Sequence, residues 1–119
     1  MEHLQTTSPF CSKYHRAVEL VGKRWTGAIL RALMSGVRRF SELCDTVPGL
    51  SDRMLAERLK ELEAEGIVLR TVFPETPVRV EYSLTEKGRD LDMVIRAVSS
   101  WAERWEAGEK PSELASPLR

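Results

Sequence analysis

Several features that define large classes of protein are missing from this sequence of 119 residues. Only two cysteines are present, too few for a disulfide framework or a zinc cluster. No apolar run approaches the roughly 18 residues needed to span a bilayer, and the first residues lack the basic and then apolar order of a secretory signal. We therefore expect a cytoplasmic protein that has no membrane partner.

Catalytic and metal-binding patterns are also missing. The sequence contains no glycine-rich phosphate loop, no serine, histidine and aspartate set, and no paired carboxylates of a catalytic cleft. Its two histidines, His3 and His15, have no partners at metal-ligand spacing. These absences predict a protein that is not an enzyme and that uses neither a metal nor a cofactor.

The net charge is zero, with 18 basic and 18 acidic residues, but the two signs are separated along the chain. Between Lys13 and Arg39, seven basic residues are opposed by Glu19 alone. From Glu81 to Arg119 the balance reverses, with eight acids against six bases. A basic half joined to an acidic half is compatible with one surface turned toward a polyanion, although mixed charges also simply keep a surface hydrated.

Hydrophobic periodicity predicts one domain at residues 11–107, between a flexible arm at 1–10 and a flexible tail at 108–119. The first four helices are expected at 13–21, 26–35, 41–47 and 52–65. Thr26 and Ser51 are the predicted N-caps of the second and fourth helices, and Gly22 is predicted to end the first in a left-handed conformation.

The pattern then changes from helical to alternating. Residues 67–73 and 78–84 are rich in β-formers and are separated by a proline-containing turn, which predicts a β-hairpin. Thr85 is expected to cap a last helix that continues to about Trp105. Short helices followed by a β-hairpin are typical of a winged helix-turn-helix, a mainly α fold with a small β-hairpin wing.

The last helix carries an apolar seam that repeats every three to four residues. Its members are Leu91, Val94, Ile95, Val98, Trp101 and Trp105. So small a domain cannot cover this whole seam, and we expect the N- and C-terminal helices to form a homodimer interface. The alternative is that the helix folds back on its own domain.

In winged helix-turn-helix folds, the second helix of the pair enters the major groove. That helix is predicted to begin after Ser51, with Arg53 and Lys60 on its outward side, and its N-terminus could meet a phosphate. Arg79, beside the hairpin tip, could reach a phosphate or a minor groove. The competing interpretation is that these charges form an ordinary solvated surface.

An ordered set of motifs resembles the HxlR-type family of bacterial transcription regulators. The motifs extend over residues 11–105, and the longest are Met54–Glu63 and Pro77–Gly88. The resemblance implies a homodimeric winged-helix protein that binds double-stranded DNA, with an architecture related to the MarR group. It also implies an oxidant, electrophile or small molecule as effector. One departure is Ser12, because relatives often have proline after the cysteine that matches Cys11.

On this hypothesis, the protein is a homodimeric regulator, expected to be a repressor, that binds a pseudo-palindromic operator. The residues predicted to contact base edges or nearby phosphates are Ser51, Arg53, Glu57 and Lys60. Those predicted to hold the DNA backbone are Arg38, Arg39 and Arg79. The alternative is a winged-helix module that docks proteins, or a dimer that binds small molecules, without contacting DNA.

The two cysteines lead to different expectations. Cys11 lies near a helix N-terminus with Lys13, His15 and Arg16 close by, a setting that favours a reactive thiolate and a redox-sensing role. The alternative for Cys11 is an inert cysteine that packs like a small hydrophobe. Cys44 falls on the inner stripe of the third helix, so we expect it to pack in the core. An inter-subunit disulfide between the two is conceivable, but the sequence gives no geometry for it.

Overall fold

The computed structural model describes residues 8–106, which form six helices and one two-stranded antiparallel sheet. The elements are α1 (Ser12–Val21), α2 (Thr26–Met34), α3 (Phe40–Thr46), α4 (Asp52–Ala64), β1 (Val68–Phe73), β2 (Arg79–Leu84), α5 (Glu86–Arg89) and α6 (Asp92–Trp105). This order confirms the predicted winged helix-turn-helix fold. Most of the predicted arm at residues 1–10 and all of the predicted tail at 108–119 lie outside the described residues.

The hydrophobic core lies where α2, α3 and α4 meet the base of the hairpin. Its most deeply buried side chains are Ile29, Leu30, Leu43, Leu55, Leu59, Leu62 and Ile67. The three α4 leucines are spaced so that they share one side of the helix, and the opposite side is left to solvent. The core therefore fixes which surface of α4 is presented outward.

The hairpin pairs β1 with β2 from Val68 opposite Leu84 to Phe73 opposite Arg79. The link between α2 and α3 runs beside the hairpin. There the backbone N–H of Tyr82 donates a hydrogen bond to the carbonyl of Arg38 at 2.8 Å. At the base of the hairpin, the Thr85 hydroxyl accepts from the backbone N–H of Gly88 at 3.1 Å and caps α5 as predicted. The wing is thus joined both to the α2–α3 link and to the C-terminal helices.

The turn between α1 and α2 differs from the prediction. Gly22 has φ −85°, and the left-handed residue is Trp25, with φ 78°. Thr26 is the buried first residue of α2 rather than its N-cap, which is Trp25. The glycine is needed for space instead, since a Cβ at position 22 would lie 2.8 Å from the carbonyl oxygen of Val18.

The prediction of one continuous C-terminal helix is also wrong, because the chain breaks at Asp90 and Leu91 between α5 and α6. The two helices have different packing partners: α5 lies against β2, and α6 lies against α2. Gly88 permits the first of these contacts, since a Cβ there would lie 2.2 Å from the carbonyl oxygen of Ile67. Among residues 8–106, no helix is both long and apolar enough to cross a membrane.

Candidate nucleic-acid interface

Helix α4 begins as the sequence predicts and presents a polar outer surface. The Ser51 hydroxyl accepts a hydrogen bond from the backbone N–H of Met54 at 3.1 Å, which caps the helix. Arg53, Glu57 and Lys60 are all exposed, and the Arg53 side chain retains 88% of its accessible surface. The side chains predicted to face a duplex on α4 therefore lie on one accessible side of the helix.

The charges on this surface of α4 are mixed rather than uniformly basic. Nε of Arg53 lies 4.0 Å from Oε2 of Glu57, one turn further along the helix. Arginine suits the acceptor edge of guanine, and glutamate suits the amino group of cytosine. A pair of this kind offers both a donor and an acceptor to base edges, whereas its carboxylate would repel a phosphate.

Arg38 and Arg39 lie immediately before α3, and both are exposed. The carbonyl of Arg38 accepts from the backbone of β2, so this short segment is held against the wing. Helix α3 contacts both β2 and α4. The two arginines therefore occupy a fixed position on the helix-turn-helix, between the wing and the α4 helix.

Arg79 is not the free cation that the sequence suggests. Its Nη2 lies 2.8 Å from Oε2 of Glu75, its Nη1 pairs with Glu81, and its guanidinium stacks 3.8 Å from the ring centroid of Phe73. The hydrogen bond from Arg79 holds the pKa of Glu75 below its ordinary value, and the charges of Arg79 and Arg39 add to the effect. A phosphate that binds Arg79 would have to displace a carboxylate that already pairs with it.

The two cysteines occupy different surroundings. Cys11 is exposed and is the N-cap of α1, where its Sγ accepts from the backbone N–H of Tyr14 at 3.5 Å. Helix α1 begins at Ser12 directly after it, without the proline common in relatives. Cys44 is half-buried against the core and donates to Oδ1 of Asp52 at 3.1 Å. Burial, followed by this hydrogen bond, raises the pKa of Cys44 to about 11.

The predicted dimer seam divides into two groups. Ile95 is only 7% exposed and belongs to the core, so it is not available to a partner, and Leu91 is half-buried against that core. The exposed members are Val94, Val98, Trp101 and Trp105. Three large exposed apolar side chains that were not among the predicted interface residues lie on α1 or just before it. They are Phe10, Tyr14 and Val18. The four-residue spacing of Tyr14 and Val18 places them on one side of a helix, and this pattern could have predicted the exposed apolar surface of α1.

Arg58 was also not predicted as a functional residue. It lies on α4 but faces inward. Its side chain is 10% exposed, and its Nε donates to the carbonyl of Arg24 at 2.9 Å. A helical wheel places Arg58 about 40° from Leu62, beside the apolar stripe. This position beside the buried leucines could have predicted that the guanidinium of Arg58 is buried.

Helix α4, supported by α3 and flanked by a β-hairpin wing, defines a winged helix-turn-helix DNA-binding protein. A sequence model described as HxlR-like helix-turn-helix matches residues 20–110, and the chain belongs to this family of transcriptional regulators. It is 50% identical over 98 residues to YvaP of Bacillus subtilis strain 168, an uncharacterized HTH-type transcriptional regulator, covering 82% of this chain and 91% of YvaP. It is 52% identical over 95 residues to the transcriptional regulator YodB of the same organism, covering 80% and 85%.

Solved structures agree with these sequence relationships. The reduced form of YodB has a TM-score of 0.72 and 51% identity, covering 81% of this chain and 94% of that one. YodB has also been solved after diamide treatment and with quinone bound. The reduced form of the redox regulator HypR has a TM-score of 0.76 and 34% identity, covering 83% of this chain and 98% of that one.

Proposed function

We propose that the protein acts as a homodimer that binds a pseudo-palindromic operator through two copies of α4. The observation that carries this proposal is the exposed polar surface of α4, with Ser51, Arg53, Glu57 and Lys60 opposite a stripe of buried leucines. A major groove admits one helix, and two such helices reach successive grooves when they are about 34 Å apart. Arg38 and Arg39 hold the backbone, and the wing lies beside them.

Dimer formation is supported by the apolar surface on the two terminal helices. On α6, Trp101 is 59% exposed and Trp105 is 61% exposed, with Val94 and Val98 on the same helix. Helix α1 contributes Tyr14 and Val18 and has no buried residue of its own. Exposed apolar side chains in this number favour a protein partner, and a second copy of the chain would bring two α4 helices onto one duplex.

Regulation by an oxidant or an electrophile such as a quinone is supported by Cys11 and by the relatives. The Cys11 thiol is exposed at the N-terminus of α1, the helix proposed to form part of the dimer interface. YodB has been solved with bound quinone, and HypR is a redox regulator. Addition of an electrophile to the Cys11 sulfur would place a new group beside Tyr14 and alter how α1 packs on the partner. We expect the unmodified protein to act as a repressor that modification releases from DNA.

A gel shift tests this function. The wild-type protein is titrated against the DNA upstream of its own gene and against a scrambled duplex, at two salt concentrations. An operator-binding dimer keeps its preference for the upstream DNA as salt rises, whereas a winged helix that only docks proteins shows no preference at either concentration.

The same titration after quinone or diamide treatment, with Cys11→Ser as the matched control, tests the effector. A shift that responds equally in both proteins would exclude Cys11 as the sensor.

A further inference from the structure

Arg58 is a charged residue of α4 that cannot reach DNA. Its side chain is 10% exposed and points toward the loop at residues 22–25, which joins α1 to α2. Nε donates to the carbonyl of Arg24 at 2.9 Å, and Nη1 lies 3.2 Å from Oε2 of Glu61. The planar guanidinium thus joins its own helix to a backbone carbonyl that lies 34 residues earlier in the chain.

A second contact joins the same loop to α4. The Nζ of Lys23 lies 3.0 Å from Oε2 of Glu61, so Glu61 bridges Lys23 of the loop and Arg58 of the helix. The loop therefore meets the middle of α4 through a backbone carbonyl and a lysine. The Arg58 hydrogen bond is charge-assisted and shielded from water, which makes it strong and directional, whereas the Lys23–Glu61 pair is more exposed and contributes less.

The loop also touches the turn that precedes α4. Trp25 has a left-handed φ of 78°, and its ring lies 3.3 Å from the position that a Cβ on Gly49 would occupy. The guanidinium of Arg24 lies 4.8 Å from the centroid of the same indole. The loop is consequently in contact with the turn before α4 and with the middle of α4.

Stability alone is a weak reason to bury this arginine. Taking the guanidinium out of water carries a desolvation penalty that offsets much of what its contacts contribute, whereas the geometry they impose is specific. From these contacts we infer that Arg58 is a positioning residue: it anchors α4 to the α1–α2 loop and so sets the angle at which Arg53, Glu57 and Lys60 meet the bases. This inference rests on the proposed function of α4. Because α1 ends where the loop begins, Arg58 also links α1 to the DNA-contacting helix.

The test compares Arg58→Met with Arg96→Met, a matched loss of one arginine charge from an exposed position on α6. Each variant is measured, at equal folded fraction and equal dimer fraction, for binding to operator and scrambled DNA across a salt series. We expect Arg58→Met to lose at least about tenfold in operator preference, a loss in the range caused by one mismatched base pair. Its salt slope should be unchanged, because no phosphate contact is removed. Arg96→Met should resemble the wild type.

Arg58→Lys keeps the positive charge near Glu61 but lacks the fork that reaches the Arg24 carbonyl, so it should recover only part of the preference. If Arg58→Met does not fold, Arg58→Lys replaces it as the test variant. Operator preference equal to wild type in the folded variants would overturn the inference. A salt slope lowered by about one unit would overturn it as well, because Arg58 would then be a phosphate contact.

Amide hydrogen exchange separates this inference from the proposed function. Exchange in residues 22–25 should be faster in both Arg58 variants than in Arg96→Met, whether or not DNA is present. Unchanged exchange would show that Arg58 does not hold the loop and would overturn the inference. If the wild type shows no operator preference, the proposed function fails, and the exchange rates still decide whether Arg58 anchors the loop.

Discussion

The thiol of Cys44 donates a hydrogen bond to Oδ1 of Asp52, 3.1 Å away, and so joins α3 to the first turn of α4. Burial contributes most to the raised pKa of Cys44, the hydrogen bond comes next, and the charges of Asp52 and Asp45 add to it. A thiol that donates to a carboxylate is held in its protonated form, which is the unreactive one. The corner of the helix-turn-helix therefore contains a cysteine that is protected from the chemistry proposed for Cys11.

The first prediction concerns the order in which the two thiols react. With a pKa of about 11, only about one Cys44 in a thousand is a thiolate at pH 8. Iodoacetamide at that pH should therefore alkylate exposed Cys11 and leave Cys44 unmodified in the folded protein. Peptide mass spectrometry measures this, and Cys11→Ser should remove the rapid reaction. Equal labelling of both cysteines before unfolding would contradict the arrangement at Asp52.

The raised pKa of Cys44, caused by burial and then by this hydrogen bond, predicts how stability changes at alkaline pH. Because the pKa of Cys44 is raised from 9.0 to about 11 in the folded state, its stabilising contribution is complete below pH 9 and is lost as pH rises toward 11. Urea unfolding at pH 8 and pH 10 should show a larger drop for the wild type than for Cys44→Ala. A parallel drop in the two proteins would indicate that Cys44 has the same pKa in the folded and unfolded states.

Much of the fold could be predicted because its signals are local. The Ser51 cap, the leucine spacing of α4 and the two β-forming segments around a proline-containing turn each depend on residues a few positions apart, and the structure has the cap, the buried leucines and the hairpin. The division of the C-terminal helix into α5 and α6 could not be predicted from such local patterns. The two parts pack on different elements, α5 on β2 and α6 on α2, and no periodicity within the helix reports those contacts.

The candidate site was predicted less completely because charge depends on neighbours in space. Arg79 is a basic residue beside the hairpin tip, but the turn brings Glu75 onto its guanidinium, and Glu81 lies two positions along the same strand. Arg58 belongs to a helix whose charges point outward, but the α1–α2 loop covers it. In both cases the residue type was visible in the sequence, and the partner that changes its role was not.

Releasing Arg79 from its acidic partner should strengthen DNA binding. In Glu75→Gln the carboxylate no longer pairs with Nη2, and although Glu81 still pairs with Nη1, the Nη2 side of Arg79 can meet a phosphate, so the salt slope should rise by about one unit for operator and scrambled DNA alike. Asp90→Asn, at an exposed position after α5, controls for the loss of one negative charge. Fluorescence anisotropy across a salt series measures the slopes. Identical slopes in Glu75→Gln and Asp90→Asn would mean that Arg79 does not contact the DNA backbone.

The same ion pair has a defined response to acid. Because Arg79 holds the pKa of Glu75 below its ordinary value, the stabilising contribution of the pair is complete above the unfolded-state pKa and is lost as pH falls through the folded one. We therefore expect the chemical shift of the Glu75 carboxyl carbon in NMR to titrate at lower pH than that of an exposed glutamate of the same protein. A titration midpoint equal to that of the exposed residue would mean that the pair is not formed in solution.

Removing the α6 tryptophans should separate the protomers. Trp101→Ala and Trp105→Ala together delete the two largest exposed apolar side chains on α6, and truncating a tryptophan that is a hot spot of an interface costs about 2 kcal/mol or more. Sedimentation at micromolar concentration should then give a monomer, with the helical content retained. Arg96→Ala, on the same helix, should remain a dimer. A dimer that survives loss of both tryptophans would place the interface elsewhere.

The division of roles between α4 and the α2–α3 link can be tested with two arginines. Arg53 lies on the exposed surface of α4 beside Glu57, so Arg53→Ala should cost about 1–3 kcal/mol on the operator and relax the preference at one base pair. Arg38 lies on a segment fixed against the wing, so Arg38→Ala should weaken binding to every duplex and lower the salt slope by about one unit. Binding to a set of single-base-pair operator variants at two salt concentrations separates the two effects. Because a phosphate looks the same at every position, loss of a phosphate contact should weaken binding to all operator variants alike, whereas loss of a base contact should alter the preference at one position. Equal losses on all duplexes for both variants would therefore show that Arg53 contacts the backbone and that another α4 side chain recognises the bases.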